Sequence, residues 1–357
     1  MSTLFRYFLM TYLGNFMRVI IGLSVITMLI DLIELTRRTS AVIDLTLLDL
    51  VWLAALRAPS FLQNTLPFVV LFAAMMTLLA LNKRQELVIT RASGMSAWQF
   101  IAPLCAGSAV LGIITVGLFN PMAAKTLALA EDMQVKIGLL APAGGTVVPW
   151  FRQPTVDGTL IIGAEQASSG GALLGRPSFY FFDTENNPVM RVDAETGALV
   201  QDNWVLTKAS IYKNGSIEQA PVFTTPALVD IRLLGQALTP AATIAFFQLP
   251  QAMESAQAFG LPVSTYAMRW HSLIALPALL VAMTLIAATV SLRFARFGHS
   301  SAAILGGIVA GFLLYVVTAM AEALGGAGVV APVIAAWLPV IAASFFGVTF
   351  LLHREDG

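Results

Sequence analysis

Six stretches of this chain are apolar over roughly 20 residues, the length a helix needs to cross a bilayer, and no other feature limits its fold as strongly. They are 16–35, 60–81, 98–119, 270–292, 301–323 and 332–352. They fall as three, then a long interval from Asn120 to Met268, then three. Apolar residues make up 57% of the 357 and charged residues only 11%. A soluble domain carries about 25% charged residues, so most of this chain is solvated by lipid. Lys and Arg (20) balance Asp and Glu (20), and bulk charge therefore indicates no polyanion-binding surface. The first apolar run follows Arg6 and reaches Leu35 without a small-residue cleavage site. It reads as a retained span rather than a signal peptide.

The interval between the two sets of three reads as β. Thr159-Leu160-Ile161-Ile162, Ser178-Phe179-Tyr180-Phe181-Phe182 and Trp204-Val205-Leu206-Thr207 are short and rich in aromatic or β-branched residues. Turn pairs separate them: Asp157-Gly158, Asn186-Asn187-Pro188, Thr196-Gly197 and Asn214-Gly215. That spacing predicts short antiparallel strands in a sandwich or jelly roll, with Asn214-Gly215 the firmest hairpin signal. From Thr243 to Phe259, Ile244, Phe247, Met253 and Ala256 recur at helical spacing, which predicts a linker helix leading back to the membrane. The lone cysteine, Cys105, allows no disulfide within the chain. The resulting fold class is an α-helical membrane protein of six spans, arranged three plus three around an inserted all-β, jelly-roll-like domain. Its expected segments are 1–122, 123–265 and 266–357.

Short loops rich in Lys and Arg stay in the cytoplasm. Arg6, the group Lys83, Arg84 and Arg91, the pair Arg293 and Arg296, and Arg354 together place both termini inside and the β insert outside. Arg37, Arg38 and Arg57, in the first outer loop, run against this bias. Enzyme signals are absent from the sequence: it has no Walker A loop, no G-x-S-x-G elbow and no H-E-x-x-H. His271, His299 and His353 lie at different span ends and do not suggest a metal site. Asp31, Glu34 and Glu322 fall in the last turns of their spans and read as markers of the water boundary.

The segment 83–96, Lys-Arg-Gln-Glu-Leu-Val-Ile-Thr-Arg-Ala-Ser-Gly-Met-Ser, is a short charged helix candidate between two spans. Glu86, Thr90 and Ser93 make one stripe at helical spacing, with Leu87, Arg91 and Gly94 beside it. Gly94 would end the helix, since glycine takes the left-handed cap conformation at little cost. A plain interfacial amphipathic helix has the same pattern. With no nucleotide-binding motif in the chain, a helix facing the cytoplasm offers a surface on which a separate energy-supplying subunit could act.

Glu-Leu-Val-Ile-Thr-Arg-Ala-Ser-Gly-Met-Ser resembles the coupling helix of the lipopolysaccharide-export permeases, the LptF/LptG family. The resemblance extends to Ala58-Pro59-Ser60, Leu66-Pro67-Phe68, Gly260-Leu261-Pro262, Trp270, Pro277 and Ala335-Ala336-Trp337-Leu338-Pro339. Leu87-Val88 with Arg91-Ala92-Ser93-Gly94 looks closer to LptG than to LptF. The resemblance implies a heterodimer with an LptF-type permease on a cytoplasmic LptB ATPase dimer. A single-span LptC and a periplasmic bridge, LptA, would receive the lipopolysaccharide. It implies that Glu86, Leu87, Arg91, Ala92, Ser93 and Gly94 couple to the ATPase. Gly307 and Gly311 would pack a lateral gate on the fifth span, a Gly-x-x-x-Gly face that permits close helix approach.

For substrate, the resemblance implies Arg37 and Arg38 as a basic pair for lipid phosphates and Tyr315 as an aromatic cavity position. Two positions that are basic in other members read Met28 and Ser60 here, with Arg57 and Lys125 close by as substitutes. No cofactor and no catalytic residue is implied. The other reading of such a chain is a mechanotransmitting subunit that couples ATP hydrolysis to a periplasmic partner without moving lipid itself; that class usually has four spans.

Overall fold

The computed structural model describes residues 3–39, 46–136, 148–155, 158–168, 173–200, 202–213, 215–227, 239–295 and 300–355. Helix α1 is Thr3–Thr39 and α2 Leu47–Lys83. A short α3, Glu86–Ala92, leads to α4, Ala97–Ile114. A π-helical turn, Thr115–Phe119, joins α4 to α5, Asn120–Lys136, so the third apolar run continues as one rod beyond the expected end at 119. After the strands come α6, Leu249–Ala258, α7, Ser264–Ala295, α8, Ser300–Gly326, and α9, Pro332–Glu355. Among the described residues, six rods are long and apolar enough to cross a membrane. The chain divides into two compact units, one of residues 1–126 with 267–357 and one of residues 127–266.

Local chemistry sets the helix ends. Thr46 and Asp49 form a reciprocal capping box at the start of α2, with Asp49 Oδ2 3.1 Å from the Thr46 N–H. Pro59 and Pro67 lie inside α2, Pro103 in α4, Pro277 in α7 and Pro339 in α9. Neighbouring helices make such prolines tolerable in a span.

In the helical unit, α4 and α7 pack closely where Gly112 faces Pro277: a Cβ on Gly112 would stand 2.5 Å from the Pro277 Cα. Burial is uneven. The apolar windows of α2 and α7 are 56% and 67% buried, those of α1 and α8 only 11% and 17%. A few polar contacts hold α1 in place. Tyr12 shares a hydrogen bond with Ser108 of α4 (2.8 Å), and Ser108 in turn with Thr284 of α7 (2.6 Å). Asn15 donates to Thr77 of α2 at 2.9 Å. These contacts lie at one end of α1. Further along, Ile21, Val25, Ile26, Leu29, Ile30 and Ile33 are exposed.

Among the described residues the β unit is one curled antiparallel sheet of nine strands: β1 Val148–Thr155, β2 Gly158–Ala164, β3 Gln166–Ser168, β4 Leu173–Gly175, β5 Ser178–Phe182, β6 Pro188–Asp193, β7 Thr196–Val200, β8 Asn203–Lys213 and β9 Ser216–Pro226. Its registers reveal a simpler plan. β2 on β5 and β3 on β4 share one register, as do β5 on β6 and β4 on β7, and β6 and β7 on β8. The pairs β2/β3, β4/β5 and β6/β7 are thus single long strands, each broken by a bend at the same level. Continuing the registers puts Glu165, Arg176, Glu195 and Lys208 in one row across the sheet. The row is a ladder of alternating charge: Arg176 pairs with Glu165 at 3.4 Å, and Lys208 with Glu195. The Lys208 partner holds the Glu195 carboxyl below its ordinary range. Arg176 and Lys208 carry positive φ, 47° and 52°, so the fold line is a break in backbone conformation as well as a row of charges.

The concave side buries Phe151, Leu160, Ile162, Phe179, Val192, Trp204 and Leu206, with Phe179 edge-on to Trp204 at 5.8 Å. Gln153 of β1 draws the sheet into a curl: it accepts from Trp204 Nε1 (3.3 Å) and donates to the Pro226 carbonyl at the end of β9 (3.0 Å).

Two local expectations need correction. Thr196-Gly197 is not a turn but the start of β7. Gly197 is there for closeness, since a Cβ on it would lie 2.9 Å from the Leu206 side chain and 3.1 Å from Pro177. The linker helix begins at Leu249 rather than Thr243, because Ile244 and Ala245 are extended between two 3-10 turns and Pro250 fits the first turn of a helix. The β8–β9 hairpin turns at Gly215, φ +80°; its Asn214, and Asp157 of the other expected pair, lie outside the described residues.

Because Gln153 serves two partners inside the curl, Gln153→Leu strands a buried indole N–H and a carbonyl. It is expected to destabilise the β unit by about 1–3 kcal/mol, read from urea unfolding of a 127–266 fragment. An unchanged midpoint would mean that the curl does not depend on this bridge.

Candidate functional site

Two places in the helical unit collect the residues singled out in the sequence. The first is the elbow between α2 and α4. Gln85 takes a left-handed conformation, φ 60°, and breaks α2 from α3; Gly94, φ +86°, ends α3 as expected. Gln99 reaches back to the Ser96 N–H at 3.3 Å and starts α4. The polar stripe is consumed internally: Thr90 Oγ1 donates to the Glu86 carbonyl at 2.6 Å and Ser93 Oγ to the Thr90 carbonyl at 2.7 Å.

Glu86 is engaged on two sides, by the Tyr7 hydroxyl of α1 (2.9 Å) and by Arg84 (3.9 Å). Leu87, expected to couple to the ATPase, is only 3% exposed and faces its own unit. The outward apolar surface is instead Val88 and Ile89, the latter 67% exposed, with Arg91, Ala92, Ser93 and Gly94 also exposed. Arg91 lies over the Phe100 ring, 5.7 Å from its centroid. The sequence pattern missed this because α3 has seven residues, too few for periodicity to say which face is buried.

The second place is the far half of α1 and its neighbours. Arg57 of α2 pairs with Asp31 of α1 at 2.9 Å and covers the Phe61 ring at 5.2 Å. Asp31, read as a water-boundary residue, is buried and joins α1 to α2. Arg37 is exposed and pairs with Glu34 at 3.7 Å. The Arg38 side chain lies outside the described residues. Lys125 is exposed on α5. Tyr315 sits apart from these cations: its ring tilts against Phe68 at 5.2 Å, and it lines a cavity of about 320 Å³ between α2, α7 and α8. Arg37, Arg57 and Lys125 do not line that cavity.

Arg269 and Glu322 do line it. The sequence reading placed Arg269 one residue outside its span, whereas the span begins at Ser264. An arginine at the edge of an apolar run was the signal available.

Gly307 and Gly311 of α8 face α2. A Cβ on Gly307 would come 2.1 Å from the Met75 sulfur, and one on Gly311 2.3 Å from a Leu71 methyl. The small-residue face is thus occupied by this chain's own second span.

Six long apolar helices among the described residues, a β unit inserted between the third and fourth, and a short helix at the elbow after the second define the class: a multi-pass membrane protein with an inserted β domain. The chain belongs to the lipopolysaccharide export system permease LptF/LptG family, whose model matches residues 6–353. It is therefore a permease of the lipopolysaccharide-export ABC transporter, resident in the inner membrane and working with other components of that system. A search of curated proteins finds no match.

The glycine contacts give an order of sensitivity. Gly112→Ala meets the Pro277 backbone, which has no freedom to yield, whereas Gly307→Ala and Gly311→Ala meet the ends of flexible side chains. Gly112→Ala is expected to cost about 1–3 kcal/mol and each of the others less, measured as the loss of thermal stability of the full chain in detergent. The reverse order would contradict the packing described.

Proposed function

We propose that this chain is the LptG-type half of the permease. It would extract lipopolysaccharide from the inner membrane and pass it to a periplasmic bridge, driven by ATP hydrolysis in a separate cytoplasmic subunit. The observation that carries the reading is the build of α3. Leu87 and Thr90 fasten it to the helical unit while Val88 and Ile89 stand exposed. A free apolar pair on a short helix ended by Gly94 suits insertion into a groove of a soluble partner, with Arg91 and Ala92 beside it. The positive-inside count places this elbow in the cytoplasm, both termini with it, and the β unit in the periplasm.

In this reading Glu86 has an internal role. Its bond from Tyr7 ties α3 to the cytoplasmic end of α1, so a push on α3 reaches the helix that is least packed. At the other end of α1, Arg37 and Arg38 are the residues this reading assigns to the lipid phosphates, with Arg57 and Lys125 as secondary cations. Charge-assisted bonds of this type are worth about 1.5–3 kcal/mol each. An LptF-type partner supplies the other half of the path, and the LptB, LptC and LptA components complete the route.

Ile89→Asp puts a carboxylate into the proposed apolar contact. It is expected to weaken copurification of the ATPase subunit at least tenfold, about 1.4 kcal/mol, while insertion of the chain in the membrane is unchanged. Tyr7→Phe is expected to leave ATPase binding intact and to lower the lipid released per ATP hydrolysed in proteoliposomes. Wild-type values for both variants in both assays would remove the basis for calling α3 the coupling helix.

A further inference from the structure

Arg18 stands on α1 inside a membrane span, exposed at the surface of this chain beside Met17, Ile21 and Val25. Among the described residues its guanidinium meets one acceptor, the Asn15 Oδ1 at 2.9 Å, and no carboxylate. That acceptor is itself fixed: buried Asn15 donates to Thr77 of α2 at 2.9 Å, and Thr77 to the Ala73 carbonyl at 2.7 Å. Because Asn15 precedes Arg18 by three residues, the relay holds the guanidinium back toward the N-terminal end of α1, the direction in which helical side chains lean. That end is joined to the elbow through Tyr7 and Glu86. The held group lies about 12 Å along the axis from Tyr7, near the inner edge of a head-group layer about 5–8 Å thick. Gly14 and Gly22, one turn to either side on the same face, have open space where a Cβ would stand.

An arginine in a span is costly and marks a functional site by default. Most of the donors of this guanidinium have no acceptor within the described residues. The acceptor they need is anionic, since a neutral one leaves the charge uncompensated in low dielectric, and it approaches from outside the chain at head-group depth. A lipid phosphate meets both conditions. A partner's carboxylate at that depth would carry a burial cost of its own.

We propose that Arg18 binds the phosphate of an anionic glycerophospholipid at the elbow end of α1, with Asn15 and Thr77 as positioning residues and the trough between Gly14 and Gly22 taking the glycerol and the start of an acyl chain. The leaflet follows from the orientation proposed above: with the elbow in the cytoplasm, the lipid belongs to the cytoplasmic leaflet, whose surface is negative. The site is separate from Arg37 and Arg38, which lie at the opposite end of the same helix. A lipid held there anchors the end of α1 that carries Tyr7, so the composition of that leaflet bears on how α1 responds to the elbow.

The full chain, purified in detergent, would be titrated by native mass spectrometry with phosphatidylglycerol, phosphatidylethanolamine, diphosphoryl lipid A and inorganic phosphate. The expected result is preferential binding of phosphatidylglycerol, weakened ~10-fold or more by Arg18→Gln and less by Arg18→Lys, whose point charge lacks the fork that Asn15 orients. Asn15→Leu keeps the charge and removes its hold. It is expected to lower the preference for phosphatidylglycerol over phosphatidylethanolamine, a ratio that a general loss of stability does not move. Unchanged binding in Arg18→Gln overturns the proposal; if that variant fails to fold, unchanged binding and preference in both Arg18→Lys and Asn15→Leu overturn it equally. Equal binding of phosphatidylethanolamine would show a general lipid contact, equal binding of inorganic phosphate a free-anion site, and an Arg18-dependent preference for lipid A a substrate contact; each overturns the assignment. Loss of a copurifying second permease in Arg18→Gln, with lipid binding unchanged, would give the cation to a protein carboxylate and overturn it as well. The orientation is tested separately: Lys83→Cys is expected to react with a membrane-impermeant maleimide in inverted vesicles only, against a wild-type control. Reaction from the opposite side would overturn the leaflet assignment and the orientation with it, while the phosphatidylglycerol result stands.

Discussion

The hydroxyl chain from Tyr12 through Ser108 to Thr284 holds three helices in register, and the rest of the helical unit depends on it. Between helices in lipid no water is expelled, so association relies on van der Waals fit and on polar bonds. α2 and α7 have fit: they are the most buried rods, and Gly112 lets α4 lie against Pro277. α1 has little, because most of its side chains face outward. Its position is therefore set at a few points, the Tyr12 and Asn15 bonds near one end and the Asp31–Arg57 pair near the other. A helix that lies against α2 along one face and leaves the other face open can shift with few side chains to repack. Tyr7 on Glu86 connects that helix to the elbow.

The β unit has a different constraint. Its strands bend together because Glu165, Arg176, Glu195 and Lys208 fall on one line, and the backbone turns left-handed at two of those four positions. Exposed ion pairs contribute little to stability. The ladder's role is to keep the same residues opposite one another where the strand conformation breaks and register is most easily lost. Gln153 then closes the curl from inside.

The large features of this architecture were legible in the sequence because they depend on composition over long windows. The six spans and the 3+3 order were of this kind, and Ser178 to Phe182 was found as a strand with the same bounds as β5. Features decided by contact were not. Thr196-Gly197 has the composition of a turn, but the glycine there serves the approach of Leu206. Leu87 and Ile89 are alike in chemistry, and only the fold shows that the first is buried and the second free. Arg37 read as one of the basic pair and Arg57 as a nearby substitute, whereas Asp31 holds Arg57 partly buried and Arg37 is open to solvent. Arg269 was overlooked because the start of a span cannot be fixed from hydropathy to within a turn.

The prolines of α2 and α7 bear on the cavity in a way side chains do not. A proline inside a helix donates no bond to the carbonyl four residues earlier. For Pro67 that carbonyl belongs to Gln63, and for Pro277 to Leu273, and both residues line the cavity. Each of these two rods therefore has a main-chain acceptor that its own proline does not engage, at a residue of the cavity lining. Those breaks are set by ring geometry rather than by any rotamer, so they persist while the surrounding side chains drift over evolutionary time.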